Sequence, residues 1–200
     1  MEQSRETVAR AESISHPFSL ALALAYSAML HYFRDVPEPA QERAEAAGAV
    51  CRRYGFRYYL AWTPILAGWA RVRLGDGQAG LAEMLRGFSE LRATGAALRA
   101  PLYLGLIAQA SGVLGDVESG LRYLEQALSL GETTGEKWTQ PELLRIQGDL
   151  LRQQGQRTQA AVCYRNAIEL AKQIGARSWE LRAEASLADL SAVKVRRQKG

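Results

Sequence analysis

The side chains best suited to chemistry are scattered along this sequence rather than grouped in a motif. His16 and His31 are its two histidines, and neither has the neighbouring ligands or catalytic partners that a metal site or a catalytic triad requires. His16 precedes a predicted helix, which suits a capping or surface role. Cys51 and Cys163 lie far apart in the sequence, so no disulfide is expected, and a reducing compartment fits.

Two further groups of residues have the composition of a functional site. Gly75, Asp76 and Gly77 resemble part of a phosphate-binding loop, but the lysine and the preceding strand of that motif are missing, so a turn between helices is the better interpretation. Glu142 and Asp149 are seven residues apart on one helix face and could act as acid and base, although a solvated helix face explains them more simply. The sequence therefore predicts no catalytic, metal-binding or cofactor-binding residue and no enzymatic activity.

The elements that carry these residues belong to a unit that recurs about every 40 residues, a period typical of helical repeat arrays. Its clearest copy is Pro101–Gly135, in which two amphipathic segments are separated by Gly115 and Asp116. Apolar residues follow helical spacing in both segments, and glycine suits the position after the second because it readily adopts a positive φ there. At this period two sets of turn residues coincide: Gly55, Gly95, Gly135 and Gly175 at the end of the unit, and Gly75, Gly115 and Gly155, with Asp35 in the first copy, between its two segments.

A small residue recurs in the first segment of every copy, which indicates close helix packing. These small residues are Ala28, Gly68, Ala108, Gly148 and Ala188. One matching position of the second segments holds Ala44 in the first copy and larger residues in the later ones, namely Met84, Leu124 and Tyr164. Small residues let two helices approach closely, and the larger ones fill the space between them, so each unit should be an antiparallel helix hairpin.

The period predicts an all-α protein, a right-handed α-solenoid of antiparallel helix hairpins with about ten helices. The first helices of the third and fourth full units should begin at Ala97 and Lys137. Because neighbouring units share one core, a single domain over residues 1–200 is expected. Its parts are a half repeat 2–15, repeats 16–55, 56–95, 96–135 and 136–175, a half repeat 176–195, and a basic tail 196–200.

The alternation of small and large residues resembles the tetratricopeptide repeat. That family has small residues at the eighth, twentieth and twenty-seventh positions of its unit and an aromatic residue at the twenty-fourth. If Pro101 and Pro141 are each taken as the first position, the matching residues are Ala108, Gly120 and Ala127, then Gly148, Ala160, Tyr164 and Ala167. The present unit is longer than the family's, which has about 34 residues, and it lacks the family's tryptophan and its final proline.

Three segments carry a more specific resemblance. HPFSLALALAYSAMLHYFRD, GFRYYLAWTPILAGWA and TGEKWTQPELLRIQGDLLRQQG look like the C-terminal repeat region of bacterial multidomain proteins that join a class III adenylate or guanylate cyclase domain to an AAA-type ATPase module. The chain carries no cyclase or ATPase motif of its own. The resemblance implies a bacterial protein whose repeats are a sensory or regulatory segment for such a module.

Tetratricopeptide-like geometry also implies a binding groove, because the first helices of such arrays line a concave surface. Mapped residue by residue, the family's ligand positions become Met29, Tyr32, Trp62, Ile65, Trp69, Gln109, Glu142, Arg145, Asp149 and Arg152. This groove would be aromatic at one end and charged at the other, and its ligand would be a peptide or a helix. The alternative is that Trp62 and Trp69 are core residues between neighbouring helices.

Composition and charge narrow the remaining classes of function. The net charge is +4, but acidic and basic residues are interspersed, so no nucleic-acid partner is predicted. The longest apolar run, Leu20–Leu30, is too short to span a bilayer, and the acidic residues before it do not suit a signal peptide. A cytoplasmic protein without a membrane partner is expected.

Two functions therefore remain open at this stage. The first is a non-catalytic interaction scaffold that binds a protein or peptide in its groove. The second is a regulatory repeat segment whose partner is a cyclase or ATPase module. Because the array begins and ends in the middle of a repeat, we also expect weak homo-oligomerisation through the C-terminal end.

Overall fold

The computed structural model describes the backbone of residues 2–197 and the side chains of residues 2–192, and within that range it contains ten helices and no strand. The helices are α1 (Glu2–Ser13), α2 (Pro17–Phe33), α3 (Pro37–Tyr54), α4 (Arg57–Arg73), α5 (Gly77–Ala93), α6 (Ala100–Val113), α7 (Val117–Thr134), α8 (Gln140–Gln153), α9 (Arg157–Gln173) and α10 (Arg177–Arg197). The predicted all-α class is confirmed. The predicted basic tail, 196–200, lies mostly outside the described residues.

The helices group into two compact units that divide between Ala97 and Leu98. Unit 1 holds α1–α5 and unit 2 holds α6–α10. In each unit every helix packs against the next one along the chain. The even-numbered helices, here called first-type helices, also pack against one another: α2 with α4, α6 with α8, and α8 with α10. The odd-numbered helices are called second-type helices. A single array over the whole chain stays a prediction.

The turns between helices recur at a strict spacing that is half of the repeat unit. The chain adopts a left-handed conformation at Ser15, Asp35 and every twentieth residue from Gly55 to Gly175. In the later copies this residue is glycine, which takes a positive φ without steric cost. Ser15 (φ 51°) and Asp35 (φ 56°) hold the same conformation with a side chain. The predicted periodicity is therefore present in the backbone itself.

The predicted close contacts within hairpins are confirmed. A Cβ atom built on Gly80 of α5 would lie 2.5 Å from the carbonyl oxygen of Gly68 in α4, and one built on Gly87 would lie 2.8 Å from that of Ala61. As the residue number rises along α5, the number of the residue that it contacts in α4 falls, so the two helices are antiparallel. In α8 a Cβ atom on Gly148 would lie 2.7 Å from Cδ1 of Tyr164 in α9.

Two helices begin three residues later than predicted, α6 at Ala100 and α8 at Gln140. Arg99, just before α6, is left-handed with a φ of 60°, which is incompatible with a preceding helical turn. Its backbone N–H donates to both carboxylate oxygens of Glu136, at 2.9 and 3.0 Å. Lys137 bonds back to the carbonyl of Gly135 in a turn instead of starting a helix. None of the described helices combines the length and apolar character that crossing a membrane requires.

Candidate binding surfaces

The five aromatic and aliphatic residues of the predicted groove lie in the interior of unit 1. Tyr32, Trp62 and Ile65 are 0% exposed, Trp69 is 3% exposed and Met29 is 4% exposed. The rings of Tyr32 and Trp69 meet edge to face, with centroids 5.1 Å apart. These side chains therefore form the contact between α2 and α4. The structure corrects the predicted aromatic end of the groove and supports the alternative that both tryptophans are core residues.

The corresponding stripe of α6 also faces a neighbouring helix. Gln109 is half-buried, and the glycines on either side of it, Gly105 and Gly112, meet α8. A Cβ atom on Gly105 would lie 2.5 Å from Cδ2 of Leu143, and one on Gly112 would overlap Leu150. The ligand positions that the resemblance implies thus coincide here with contacts between first-type helices.

The charged residues of the predicted site are brought together in unit 2. Arg145 donates from Nε and Nη2 to the two carboxylate oxygens of Glu142, both at 2.9 Å, and from Nη1 to Asp149 at 2.5 Å. Arg182 of α10 donates to Glu142 at 2.9 Å, and the Tyr164 hydroxyl of α9 donates to Asp149 at 2.7 Å. We call these five residues the α8 charge network. Arg152, the remaining member of the predicted set, is exposed at the end of α8.

Burial and charge balance set the protonation states of this network. Glu142 is 1% exposed. Burial alone would raise its pKa, but the guanidinium groups of Arg145 and Arg182 outweigh that effect and hold the pKa below its usual range. Burial, reinforced by Asp149, raises the pKa of Tyr164, so its hydroxyl stays protonated and donates. Two carboxylates and two guanidinium groups cancel in charge, and the network ties α8 to α9 and α10.

The repeat register mapped Glu142, Arg145 and Asp149 to one groove surface, with Arg182 at the matching position of the last helix, but it did not identify Tyr164 as their partner. Tyr164 was interpreted only as a space-filling residue, and its hydrogen bond to Asp149 depends on a helix approach that no sequence pattern specifies. Arg182 stands one full repeat after Glu142, and this spacing is what placed it on the same surface.

The histidines have structural surroundings. Nδ1 of His16 accepts a hydrogen bond from the backbone N–H of Ser19 at 3.2 Å, which confirms its capping role at the start of α2. His31 is 7% exposed, and burial, together with Arg43 and Arg34, lowers its pKa. Among the residues that the structure describes, no three potential metal ligands come together.

A groove of about 680 Å³ lies between α1 and α2 in unit 1. Large apolar side chains remain exposed in it, with Ile14 at 62%, Tyr26 at 41% and Leu30 at 37%. Its floor and walls are made mainly by Ser4, Thr7, Ala11, Ile14, Ala23, Tyr26 and Leu30. We call this feature the α1–α2 groove. The half repeat predicted over residues 2–15 supplies one wall of this groove, and the predicted apolar run Leu20–Leu30 supplies the other.

Comparison with known proteins does not assign this chain to a family. No protein-family model matches the chain. An uncharacterized protein of Rhizobium meliloti (strain 1021) is 29% identical to it over 187 residues. The match covers 93% of this chain but 18% of that protein, so the chain spans less than a fifth of its relative's length.

Proposed function

We propose that this protein is a non-catalytic interaction scaffold that binds an amphipathic helix in the α1–α2 groove. The observation that carries the proposal is the register of the groove residues. They stand at repeat positions that, elsewhere in the chain, hold a first-type helix in place.

The α2 wall of the groove corresponds, in the repeat, to the face of α8 that packs against α6 in this chain. Tyr26 and Leu30 lie three repeats before Ile146 and Leu150 of α8. In unit 2 that face of α8 receives α6: Gly112 meets Leu150, and a Cβ atom on Gly105 would lie 3.7 Å from Cδ1 of Ile146. The face of α2 that carries Tyr26 and Leu30 is therefore built to receive a helix in the same way.

The α1 wall leads to the same conclusion. Ser4 and Thr7 lie two repeats before Met84 and Gly87 of α5. Met84 and Gly87 face α4, since a Cβ atom on Gly68 would lie 2.6 Å from Cγ of Met84. By this register Ser4 and Thr7 stand where a first-type helix would pair with α1, and the Ser4 hydroxyl also donates to that of Ser27 in α2 at 3.0 Å. No helix within the described residues of unit 1 occupies that position.

The chemistry of the groove defines its ligand. Exposed apolar side chains along both walls favour a helix with one apolar face, and such helix-in-groove recognition is a common mode of peptide binding. The close approach seen in the other hairpins requires a small residue on the incoming helix where it crosses α1. The proposed ligand is therefore an amphipathic helix with small residues on its buried face.

A peptide of residues 177–192 is a suitable probe, because it is itself a first-type helix segment with both charge signs. Fluorescence anisotropy of the labelled peptide should show saturable binding to the full chain. Leu30→Asp should abolish it, because the substitution places a charge in the groove. Leu85→Asp is the matched control, since Leu85 on α5 is 36% exposed and outside the groove. Equal binding by both variants, or none by the wild type, would contradict the proposal.

A second function has support from the comparison. The relative is much longer than this chain, as expected if such repeats act within large multidomain proteins. The resemblance described above suggests a cyclase or ATPase module, and the groove would then receive a helix of that module. Genomic sequence tests this alternative: a cyclase or ATPase reading frame next to this one supports it, and unrelated neighbours contradict it.

A further inference from the structure

We infer that the helix bound in the α1–α2 groove is α10 of a second copy of this chain, so that copies join head to tail. This inference rests on the proposed function, because it requires the groove to bind a helix. It adds the identity of the ligand and the geometry of the assembly.

Helix α10 has one covered face and one open face. Trp179, Ala183 and Leu190 are at most 5% exposed, and Leu190 packs with Ala160 and Tyr164 of α9. Trp179 stacks on Trp138, which lies just before α8. On the other side Leu181 is 50% exposed. Ala185, Ala188 and Ala192 are also exposed. With Leu181 these alanines form an apolar stripe at helical spacing, and in the part of the chain that the structure describes no second-type helix covers it.

The open face of α10 matches the α1 wall in register. Ala188 lies one repeat after Gly148, the residue of α8 that meets Tyr164 of α9. Ser4 lies four repeats before Tyr164, at the same position of a second-type helix. If α10 pairs with α1 of a second copy as α8 pairs with α9, Ala188 lies opposite Ser4. Both residues are small, so the two helices can approach closely.

The α2 wall matches as well. Ala185 and Ala192 lie two repeats after Gly105 and Gly112, which receive side chains of α8. Ala192 would therefore meet Leu30 of the second copy, just as Gly112 meets Leu150. The exposed leucine of the groove and the exposed alanine of α10 are complementary in size. One placement of α10 thus satisfies both walls of the groove, and it does so in the register that the chain already uses internally.

This interface joins two different surfaces, the groove of one copy and α10 of the next. Such a heterologous contact leaves one groove and one α10 unoccupied at the ends of every open assembly, whereas a closed ring fills them all. Unless a ring closes, growth does not stop at two copies, and the average mass should rise beyond that of a dimer with protein concentration. A symmetric dimer would instead reach a plateau.

Two blocked variants of the full chain test the inference. Leu30→Asp blocks the groove and leaves α10 intact, whereas Ala188→Arg blocks α10 and leaves the groove intact; both positions are exposed. By sedimentation equilibrium the wild type and Leu85→Asp should associate, and each blocked variant alone should be monomeric. An equimolar mixture of the two blocked variants should form a heterodimer and nothing larger.

A monomeric wild type at the highest soluble concentration, or a mixture that stays monomeric, would overturn the inference. Blocked variants that still associate alone would also overturn it. Circular dichroism melting of each variant shows whether it is folded, and the milder Leu30→Ser and Ala188→Gln replace any variant that is not. If the 177–192 peptide binds the groove while the wild-type chain stays monomeric, only the assembly falls; if the peptide fails to bind as well, the proposed function falls with it.

Discussion

At the scale of single residues, the side chains that looked like ligand contacts are used to hold helices together. Glu142 accepts hydrogen bonds from Arg145 and Arg182 while almost fully buried. Removing one partner of a buried ion pair leaves the other charges uncompensated, which costs more than the pair itself contributes.

The first prediction concerns the buried charges that would be left uncompensated if Glu142 were removed. Glu142→Ala should lower the free energy of unfolding by roughly 3–5 kcal/mol, the range found when one partner of a buried pair is removed. Glu169→Ala on the exposed face of α9 should change it by less than about 0.5 kcal/mol, as for ordinary surface substitutions. Urea unfolding followed by circular dichroism measures both. Equal midpoints for the two variants would contradict the account of the network.

Acid should weaken the same network. The pKa of Glu142 is lower in the folded chain than its ordinary value of 4.5. A carboxyl with a depressed folded pKa contributes stability that is complete above the unfolded pKa and is lost as the pH falls through the folded one. The difference in unfolding free energy between the wild type and Glu142→Gln should therefore be constant near neutral pH and shrink below about pH 4.5. If this difference instead grows on acidification, the pKa of Glu142 is not lowered by folding.

Trp69 allows a direct test of the corrected site. It is 3% exposed and packs on Tyr32, so Trp69→Ala should cost about 3–5 kcal/mol, as truncation of core aromatic residues does. Thermal denaturation of this variant decides the matter before any ligand is known. An unchanged melting temperature would place Trp69 back on a binding surface.

At the scale of helices, glycines at the contact positions determine how closely two paired helices can approach. Gly148 allows the ring of Tyr164 to lie directly on α8, and the hydroxyl of Tyr164 is fixed by Asp149. The ring therefore has little freedom to move aside for a larger residue. Gly48 in α3 lacks such a neighbour, since a Cβ atom there would lie at an ordinary 3.4 Å from Oγ1 of Thr63.

These two glycines should respond to alanine in opposite directions. Gly48→Ala should stabilise the chain by up to about 1 kcal/mol, because alanine favours helix more than glycine does. Gly148→Ala gains the same helix propensity but creates a collision, and we expect a net loss of about 1–3 kcal/mol, as in other overpacked cores. Differential scanning calorimetry of both variants provides the measurement. A stabilised Gly148→Ala variant would refute the proposed packing of α8 on α9.

The helices were predictable from the sequence for a physical reason, and the binding surfaces were not. A small residue or a left-handed glycine satisfies a local steric requirement, so Gly55, Gly115 and Gly148 mark their positions without reference to distant parts of the chain. Whether Trp69 faces a groove or a neighbouring helix depends on how far successive hairpins rotate, and the length of the repeat does not specify that rotation. The starts of α6 and α8 were missed because Glu136 binds the backbone of Arg99, a contact between two turns.

At the scale of the whole molecule, the two terminal helices have complementary open faces. Helix α1 is a second-type helix without a first-type partner before it in the described part of unit 1, and within the described residues α10 of unit 2 lacks a second-type partner after it. The exposed apolar residues of the groove, Ile14, Tyr26 and Leu30, are the kind of surface that monomeric proteins seldom leave uncovered unless it binds something. The α1–α2 groove is therefore the site of the function that we propose.

The most direct test of that claim is an NMR titration of the full chain with the unlabelled peptide of residues 177–192. Amide chemical shifts should change in α1 and α2, around Ala11, Tyr26 and Leu30, with a smaller change at Trp62, whose ring packs edge to face on Tyr26, and stay constant around Trp69. Leu30→Asp should remove the changes. Shifts that concentrate on α8 and Arg152, or no shifts at millimolar peptide, would contradict the account.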